Sequence, residues 1–368
     1  MFLMPAHAVP MDPTLRPARG ATRNEASRRF RLPERLADGD WLDAQPAVDG
    51  ELPPLRTEVT VEKPKTIITR NTSPDIPFDR SVNAYRGCEH GCIYCFARPS
   101  HAYHDLSPGL DFESRLFAKP DAPALLRAEL ARPGYSPAPL AMGTNTDPYQ
   151  PIEARFGITR GLLEVLASCD HPVTITTKSD RVARDLDLLG PMAAKGLAVV
   201  VLSVTSLDPA IARTIEPRAP HPEKRLAAVA RLAAAGIPVF VSISPVIPAI
   251  TDHEIEAILA RAAAAGARGA FYLPVRLPHE VAPLFRAWLD AHFPERAAKV
   301  MAIVRSLRGG RDNDPAFFSR MQGEGPWADL LRARFRRACR SAGLGNERIR
   351  LRTDLFRAPA RDGQLSLF

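Results

Sequence analysis

Short apolar runs alternate with Ala- and Leu-rich stretches of helical period along the central part of the chain. Six runs rich in β-branched and apolar residues are predicted strands, at 81–85, 140–144, 173–177, 198–204, 239–244 and 270–274. Stretches with apolar residues at helical spacing lie between them, at 122–131, 159–168, 181–195, 222–235 and 252–265. Nearly all-apolar strands separated by helices are typical of a parallel sheet that is covered on both faces.

This order of elements predicts an α/β fold, a partial (β/α)6 TIM-like barrel with a C-terminal helical extension and a disordered N-terminal tail. Six β/α units over about 200 residues fit an open barrel better than a closed barrel of eight units. Gly236 and Gly266 are predicted to end helices, and Thr251 with Glu254 predicts a capping box. Ligands are expected at the carboxyl ends of the strands.

The flanks of the barrel have a different pattern. We predict a disordered Arg/Pro-rich segment at 1–56, the barrel at 57–278, a helical extension at 279–357 and a flexible tail at 358–368. Short strands are expected at 57–62 and 66–69. Within the extension, 279–293, 294–307 and 326–341 have a helical pattern.

Composition sets limits on the class of protein. Hydrophobic residues make up 45% and charged residues 24% of 368 residues, which excludes a wholly disordered or fibrous chain. No apolar run reaches about 18 residues, so a membrane span is excluded. The first twenty residues lack the apolar block of an export signal, and we expect a cytoplasmic protein.

Positive charge is concentrated at the two ends of the chain. The net charge is +8, of which residues 1–36 carry +4 and residues 326–368 carry +6, while the part between them is slightly acidic. Basic ends are suited to a polyanion such as nucleic acid. They are equally found in soluble Arg-rich proteins, so charge alone leaves the partner open.

Three of the five cysteines fall within eight residues, in the segment RGCEHGCIYC that follows the first barrel strand. Cys88, Cys92 and Cys95 can converge on one soft metal centre, and Gly87 and Gly91 permit the necessary turns. Three thiolates on a cubane iron–sulfur cluster would leave one iron open for chemistry.

Two other interpretations of the cysteine cluster stay open. The three thiolates are able to bind zinc, with a histidine as the fourth ligand; the candidates are His90, His101 and His104. The cysteines are alternatively reduced and unligated.

The segment SVNAYRGCEHGCIYCFAR, with an aromatic residue before the last cysteine, resembles the radical S-adenosylmethionine (radical SAM) superfamily. The later segments MGTNTDPYQPIE, TTKSD, LSVTS and IEPRAPHPEKRL are similar to the branch that includes spore photoproduct lyase. The resemblance covers about residues 60–280.

The resemblance implies that Cys88, Cys92 and Cys95 hold a 4Fe–4S cluster and that S-adenosylmethionine binds the open iron. Reductive cleavage then gives methionine and a 5′-deoxyadenosyl radical, which abstracts a hydrogen atom from the substrate. An electron donor such as flavodoxin or ferredoxin is implied. The resemblance places cofactor contacts at residues on and after the strands, namely Tyr94, Thr146, Asp147, Lys178 and Ser203.

Each of these contacts has a structural alternative. Tyr94 is also suited to plain packing, and the Asn-Thr-Asp-Pro run that holds Thr146 and Asp147 is also a common turn. Lys178 is also suited to the surface beside a helix cap. Glu216 and Arg218 are further candidates for contacts to ribose or carboxylate, or they pair with each other or with solvent.

One departure from the family limits what is carried over. Spore photoproduct lyases use a cysteine near the end of the second strand to return a hydrogen atom, and residues 140–148 contain none. Thr144 stands at about that position, and a hydroxyl is a far poorer hydrogen-atom donor than a thiol. The other cysteines, Cys169 and Cys339, are predicted to be packed thiols. The resemblance therefore implies the radical machinery without the photoproduct-repair reaction.

The tail ends in QLSLF, which resembles the pentapeptide with which bacterial DNA-processing proteins bind the replication sliding clamp. Gln364, Leu365, Leu367 and Phe368 would make these contacts. The alternative is an end that folds back on the body.

Three functions follow, and the first is a radical SAM enzyme acting on nucleic acid, in DNA repair or modification. The second is the same chemistry on a peptide or small molecule. The third is a non-catalytic zinc or iron–sulfur protein that binds DNA.

Overall fold

The computed structural model describes residues 19–25, 27, 29, 56–345 and 350–360. Ten strands in these ranges form a seven-stranded and a three-stranded sheet. In chain order the strands are β1 (Glu58–Val61), β2 (Ile68–Arg70), β3 (Arg80–Val82), β4 (Tyr85–Arg86), β5 (Arg115–Ala118), β6 (Leu140–Met142), β7 (Val173–Thr177), β8 (Ala198–Ser203), β9 (Val239–Val246) and β10 (Gly269–Pro274).

The larger sheet has the strand order β10-β9-β8-β7-β6-β3-β2. Its first six strands pair in parallel, and β2 pairs with β3 in antiparallel fashion. This confirms the predicted partial barrel of six β/α units. The smaller sheet, β1-β5-β4, adds a parallel and an antiparallel pairing beside the cysteine segment.

Helices follow the strands as the sequence pattern predicts. They are α1 (Asp111–Ser114), α2 (Ala122–Leu130), α3 (Glu153–Phe156), α4 (Ile158–Ser168), α5 (Leu186–Ala194), α6 (Pro209–Ile215), α7 (Pro222–Ala234), α8 (Ile255–Ala264), α9 (Val281–His292), α10 (Pro294–Ser306), α11 (Ser319–Gln322) and α12 (Pro326–Ser341). Gly236 and Gly266 follow helices α7 and α8 with φ of 75° and 91°, as expected for residues that end helices. The helices predicted at 181–195 and 252–265 each begin as a short 3-10 helix.

The predicted capping box at Thr251 is wrong. The Thr251 side chain makes no cap bond and instead accepts from the backbone N–H of Ile247 at 2.9 Å. The Glu254 carboxylate reaches the loop after β8, where Ser206 Oγ donates to it at 2.7 Å. Tertiary partners therefore outcompete the local capping pattern.

The main hydrophobic core lies between the outer face of the sheet and helices α2, α4, α7 and α8. Alternate strand residues such as Ile175, Val200 and Val241 are fully buried there with Leu162 and Val229 of the helices. Because side chains alternate across a strand, the other positions face the interior of the barrel. These inward positions near the strand ends are small and polar, at Thr176, Ser203 and Ser242.

A second core joins the cysteine segment to helices α9 and α10. Ile93, beside the cysteines, is buried in the same cluster as Phe285 and Trp288 of α9 and Val300 of α10. The indole N–H of Trp288 donates to the Thr214 carbonyl oxygen at 3.0 Å. The extension thus supports the loop that carries the cysteines.

The described residues 350–357 pack at the end of the barrel opposite the strand carboxyl ends. The backbone N–H of Arg352 donates to the Gly196 carbonyl at 3.0 Å, and that of Arg357 donates to the Cys169 carbonyl at 2.9 Å. The Phe356 ring lies 5.4 Å from the His171 ring. This segment therefore covers the amino ends of β7 and β8.

The domain boundaries inferred from the sequence stay predictions. The clamp-binding peptide Gln364, Leu365, Leu367 and Phe368 lies outside the described residues. In the part of the chain that the structure describes, no helix is both long enough and apolar enough to cross a membrane.

Gly143 allows β6 to pass close to β7 just before the polar loop at 144–147. Its φ is +90°, and a Cβ atom there would lie 1.9 Å from the Thr176 carbonyl oxygen. Gly134 has a similar φ of +76°, but a Cβ atom added to it would meet nothing within 4 Å, so its substitution measures backbone strain alone. We expect Gly143→Ala to reduce the free energy of unfolding by about 1–3 kcal/mol more than Gly134→Ala, measured in urea. Equal losses would contradict the close approach.

Candidate active site

The cysteine segment leaves β4 and forms a tight loop at the carboxyl ends of the barrel strands. Cys88 and Cys92 are buried, each 7% exposed, and Cys95 is partly exposed. All three thiols are free. Gly91 has φ of 68° and lies against Gly20 of the N-terminal segment, where neither residue leaves room for a side chain. The sequence prediction that glycines permit this turn is confirmed.

A buried ion pair holds the cysteine loop in place. Arg98 and Glu113 have fully buried side chains, with Arg98 Nη2 and Glu113 Oε1 2.5 Å apart. Arg98 also donates to the carbonyl oxygens of Cys92 at 2.9 Å and Gly91 at 3.2 Å. The Glu113 carboxylate accepts from the backbone N–H groups of Gly20 and Ala21 at 2.9 and 2.8 Å. One pair of charges thus joins the loop to the N-terminal segment.

The thiols lie where burial opposes their ionised form. Burial raises the pKa of Cys88 well above its usual range and the pKa of Cys92 to about 12, although the Lys178 ammonium favours the Cys92 thiolate. A cationic iron centre supplies the positive charge that such buried thiolates need. The donor set, three free soft thiols on one loop, is therefore compatible with an iron–sulfur cluster.

The histidines proposed as zinc ligands have other partners. His90 Nδ1 lies 3.3 Å from the Asp147 carboxylate, and His101 Nε2 lies 2.8 Å from the Arg115 carbonyl oxygen. The His104 ring packs on Phe117 with 4.7 Å between ring centroids. As the side chains lie, no three His, Cys, Asp or Glu residues in the described ranges form a ready-made site for a metal ion. Each of the three candidate histidines is therefore already in contact with another protein group.

The buried Tyr94 and the half-buried Lys178 belong to one polar network. The Tyr94 hydroxyl donates to Glu216, and Lys178 Nζ lies 5.7 Å from the centre of the Tyr94 ring. Burial alone would lower the pKa of Lys178, but the nearby Cys92, Glu216 and Asp147 side chains raise it. Lys178 is therefore a cation in this site.

Arg225 neutralises the Glu216 carboxylate. The two buried side chains form an ion pair, and Thr205 Oγ1 donates to Glu216 at 2.8 Å. Burial would raise the pKa of Glu216, but Arg225 and Lys178 hold it below its usual value. Arg225 also donates to the Ser203 carbonyl oxygen at 3.2 Å, which fixes the end of β8. The suggested pairing of Glu216 with Arg218 is wrong, because Arg218 pairs with Glu89 at 3.0 Å.

Asp147 organises the ends of β6 and β7. Its carboxylate accepts from Thr177 Oγ1 at 2.6 Å and from the backbone N–H of Lys178 at 2.8 Å. Burial opposes ionisation, but His90 and these hydrogen bonds lower the pKa of Asp147 to about 2. Its oxygens are thus committed to protein donors.

Thr146 differs from its neighbour because its buried hydroxyl has no hydrogen-bond partner among the described residues. Ser203 lies 4% exposed at the end of β8, beside Ser242 of β9 in the strand register. Thr144 exchanges hydrogen bonds with the Asn83 side chain at 3.0 and 3.2 Å. Cys169 is buried at the opposite end of the barrel, as predicted.

Comparison with known proteins identifies the family of the chain. Residues 82–262 match the family model of the radical SAM superfamily. An uncharacterised protein of Mycobacterium tuberculosis is 38% identical over 232 residues, which cover 62% of this chain and 68% of that protein. The chain belongs to the radical SAM superfamily. Members of this superfamily use a 4Fe–4S cluster and S-adenosylmethionine.

Two further similarities extend the comparison. An uncharacterised protein of Methanocaldococcus jannaschii is 31% identical over 173 residues, which cover 47% of this chain and 62% of that protein. Spore photoproduct lyase complexed with dinucleoside spore photoproduct has a TM-score of 0.53 and 15% identity, with 77% of this chain and 79% of that chain covered. At this level of identity, the similarity to the lyase shows a shared fold.

Tyr94, Lys178, Asp147 and Ser203, which the resemblance implied as cofactor contacts, lie in linked contacts at the carboxyl ends of the strands, with Thr146 next to Asp147 in the chain, and their role toward the cofactor stays a prediction. Sequence reasoning missed the residues that hold them, which are Arg98, Glu113, Thr205 and Arg225. Arg98 lies within the quoted cysteine segment, but its partner is 15 residues away and no local pattern indicates the pair.

Removing one charge of the Arg98–Glu113 pair leaves the other buried without a counterion. We expect Glu113→Gln to lower the free energy of unfolding by about 3–5 kcal/mol. The matched control is Glu223→Gln, which breaks the exposed pair with Arg261 and is expected to cost less than about 1 kcal/mol. Chemical unfolding of both variants measures the difference, and similar losses would refute the organising role of the buried pair.

Proposed function

We propose that this radical SAM enzyme binds its 4Fe–4S cluster through Cys88, Cys92 and Cys95. The observation that carries the proposal is a single loop with three free thiols at the carboxyl ends of the barrel strands, two of them buried. Three protein thiolates leave one iron for S-adenosylmethionine, whose reductive cleavage supplies a 5′-deoxyadenosyl radical for hydrogen abstraction.

Five residues near the loop are proposed to form the binding site for S-adenosylmethionine, four by contact and Asp147 mainly by positioning its neighbours. Lys178 offers a half-buried cation to a carboxylate, and Tyr94 offers an aromatic surface whose hydroxyl is already bound to Glu216. Ser203 adds a small polar side chain at the end of β8.

Thr146 and Asp147 contribute in different ways. The Thr146 hydroxyl is the group most in need of a ligand, because it is buried without a described partner. Asp147 acts mainly by fixing Lys178 and His90, since protein donors occupy its carboxylate.

Nucleic acid is the proposed substrate class. The net charge of +8 and the basic ends of the chain favour a polyanion. The fold similarity to a lyase complexed with a dinucleoside photoproduct supports the same class. We propose modification or repair chemistry other than photoproduct reversal, because Thr144 replaces a thiol and is hydrogen-bonded to Asn83.

The cluster assignment is tested by anaerobic reconstitution of the full chain with iron and sulfide. Wild type is expected to bind about four irons and, with a reductant, to form 5′-deoxyadenosine from S-adenosylmethionine. Cys88→Ala, Cys92→Ala and Cys95→Ala are each expected to lose most of the iron and at least about a hundredfold in 5′-deoxyadenosine formation.

Cys169→Ala and Cys339→Ala are the matched controls, since both remove buried free thiols away from the loop. They should retain iron and activity. A colourless wild-type protein with one tightly bound zinc, or a loop variant that keeps a full cluster, would overturn the assignment.

The Thr146 contact is tested by an isosteric pair of variants. Thr146→Val removes a hydroxyl that has no described partner, so stability should hold while S-adenosylmethionine binding weakens about three- to tenfold, by calorimetric titration. Thr177→Val removes a hydroxyl bonded to Asp147 and should lower the melting temperature. Unchanged cofactor affinity in Thr146→Val would show that this hydroxyl makes no contact with the cofactor.

A further inference from the structure

The open side of the barrel lies between its two edge strands, β2 and β10, which do not pair with each other in the described ranges. Residues that follow α10 cross this gap. Arg320 in α11 donates to both oxygens of Asp75, which follows β2, at 2.6 and 2.5 Å. The backbone N–H of Phe318 donates to the same carboxylate at 3.0 Å. The segment that crosses the opening is therefore anchored to the opposite edge of the sheet.

Two neighbouring phenylalanines on this segment face solvent. Phe317 is 51% exposed and Phe318 is 58% exposed. Phe318 has φ of 66°, a conformation that costs a bulky residue energy and that its bond to Asp75 helps to hold. The Arg320 guanidinium lies 4.7 Å from the centre of the Phe317 ring. Exposed rings held in a strained and anchored segment are typical of a binding surface rather than of a core.

Arg276, immediately beyond β10, lacks an oxygen partner in the described part of the chain. Its Nε is buried without a hydrogen-bond partner, and its Nη1 lies 3.2 Å from the Met321 thioether, a weak acceptor. The neighbouring arginines have oxygen partners, since Arg320 binds Asp75 and the Nη atoms of Arg308 donate to three backbone carbonyls, although Arg308 Nε is also buried without a partner. A half-buried guanidinium with unused donors favours an anionic ligand that accepts hydrogen bonds.

We propose that Arg276, Phe317 and Phe318 bind a single strand of nucleic acid at the open side of the barrel, while Arg320 anchors the segment to Asp75. We term these four residues the aromatic rim. The phenylalanine rings stack on bases, and Arg276 contacts a phosphate. The inference rests on the proposed function for its substrate class. The inference adds to that function the surface on which the nucleic-acid strand is bound.

Helix α12, which follows the rim segment in the chain, carries further positive charge. It packs behind β10, with the Phe335 ring 4.6 Å from the Tyr272 ring, and its exposed face carries Arg336, Arg337 and Arg340. These arginine side chains are suited to contact the regularly spaced phosphates of a nucleic-acid backbone. An acidic peptide satisfies the charge of this surface but gives the phenylalanine rings no planar partners, which is why nucleic acid is favoured.

The test is fluorescence anisotropy of a labelled 12-nucleotide single-stranded DNA with the reconstituted full chain at several salt concentrations. Phe317→Ala combined with Phe318→Ala should weaken binding at least about tenfold without changing the salt dependence, because no charge is lost. Arg276→Gln should weaken binding and reduce the slope of log affinity against log salt by about 0.7. Tyr103→Ala and Arg231→Gln, which alter exposed residues elsewhere, are matched controls expected to bind within about twofold of wild type.

A second substitution separates stacking from folding. Phe317→Leu combined with Phe318→Leu keeps apolar side chains but removes the planar rings, so it should also lose affinity. If either double variant binds the DNA with wild-type affinity, the proposal that the aromatic rim binds nucleic acid is refuted. If an acidic peptide of the same charge displaces the labelled DNA as well as unlabelled DNA does, the proposal is also refuted, because the surface then recognises charge alone.

Cleavage of S-adenosylmethionine by wild type without DNA tests the proposed radical function separately. Rim-dependent DNA binding by a chain that forms no 5′-deoxyadenosine refutes the radical function and supports the rim. If wild type cleaves S-adenosylmethionine but the rim variants bind DNA as tightly as wild type, the radical function is supported and the rim is refuted.

Discussion

The buried ion pair between Arg98 and Glu113 is the interaction on which the active-site loop depends. Neither side chain is exposed, so each charge relies on the other and on hydrogen bonds from the backbone. Arg98 uses its remaining donors on carbonyl oxygens of the cysteine loop and of residues 108 and 109. A buried pair is costly to desolvate and adds stability only when its hydrogen bonds are complete. Here those hydrogen bonds fix the backbone that presents the thiols.

The same loop is supported from below by an apolar cluster. Ile93 and the apolar face of Tyr94 share a core with helices α9 and α10, so the C-terminal extension packs directly under the cysteines. The polar network of Tyr94, Glu216, Arg225 and Lys178 then joins the loop to β7 and β8. Two cores and one buried network thus meet at the cysteine loop, which gives a flexible run of glycines and thiols a defined shape.

The pattern of hydrophobic residues predicted the barrel well, because each of its six parallel strands requires a continuous apolar run. The strand at 173–177 matches its predicted limits, and the Ala-rich helices end at the expected glycines. The chemistry of the cysteine loop could also be predicted from the sequence, since three thiols within eight residues are a strong local signal. Helix α6 was missed because its seven residues span only about two turns and give no sustained helical period, and the four-residue strand β5 was missed as well.

Interactions between distant residues had no sequence signal. The Asp75–Arg320 pair joins residues 245 positions apart, and the Thr251–Glu254 pattern failed because Glu254 bonds to a loop 46 to 48 residues away. Such pairs depend on which strands meet at the open side and at the carboxyl ends of the barrel. The hydrophobic pattern of the sequence therefore predicts the barrel, while the polar contacts that position the active-site residues are seen only in the three-dimensional structure.

Mössbauer spectroscopy of the full chain reconstituted with iron-57 tests the central claim, a cluster on three thiolates with one open iron. Addition of S-adenosylmethionine should change the isomer shift and quadrupole splitting of one iron in four and leave the other three unchanged. A spectrum that S-adenosylmethionine does not alter, with all irons equally ligated by protein, would contradict the account.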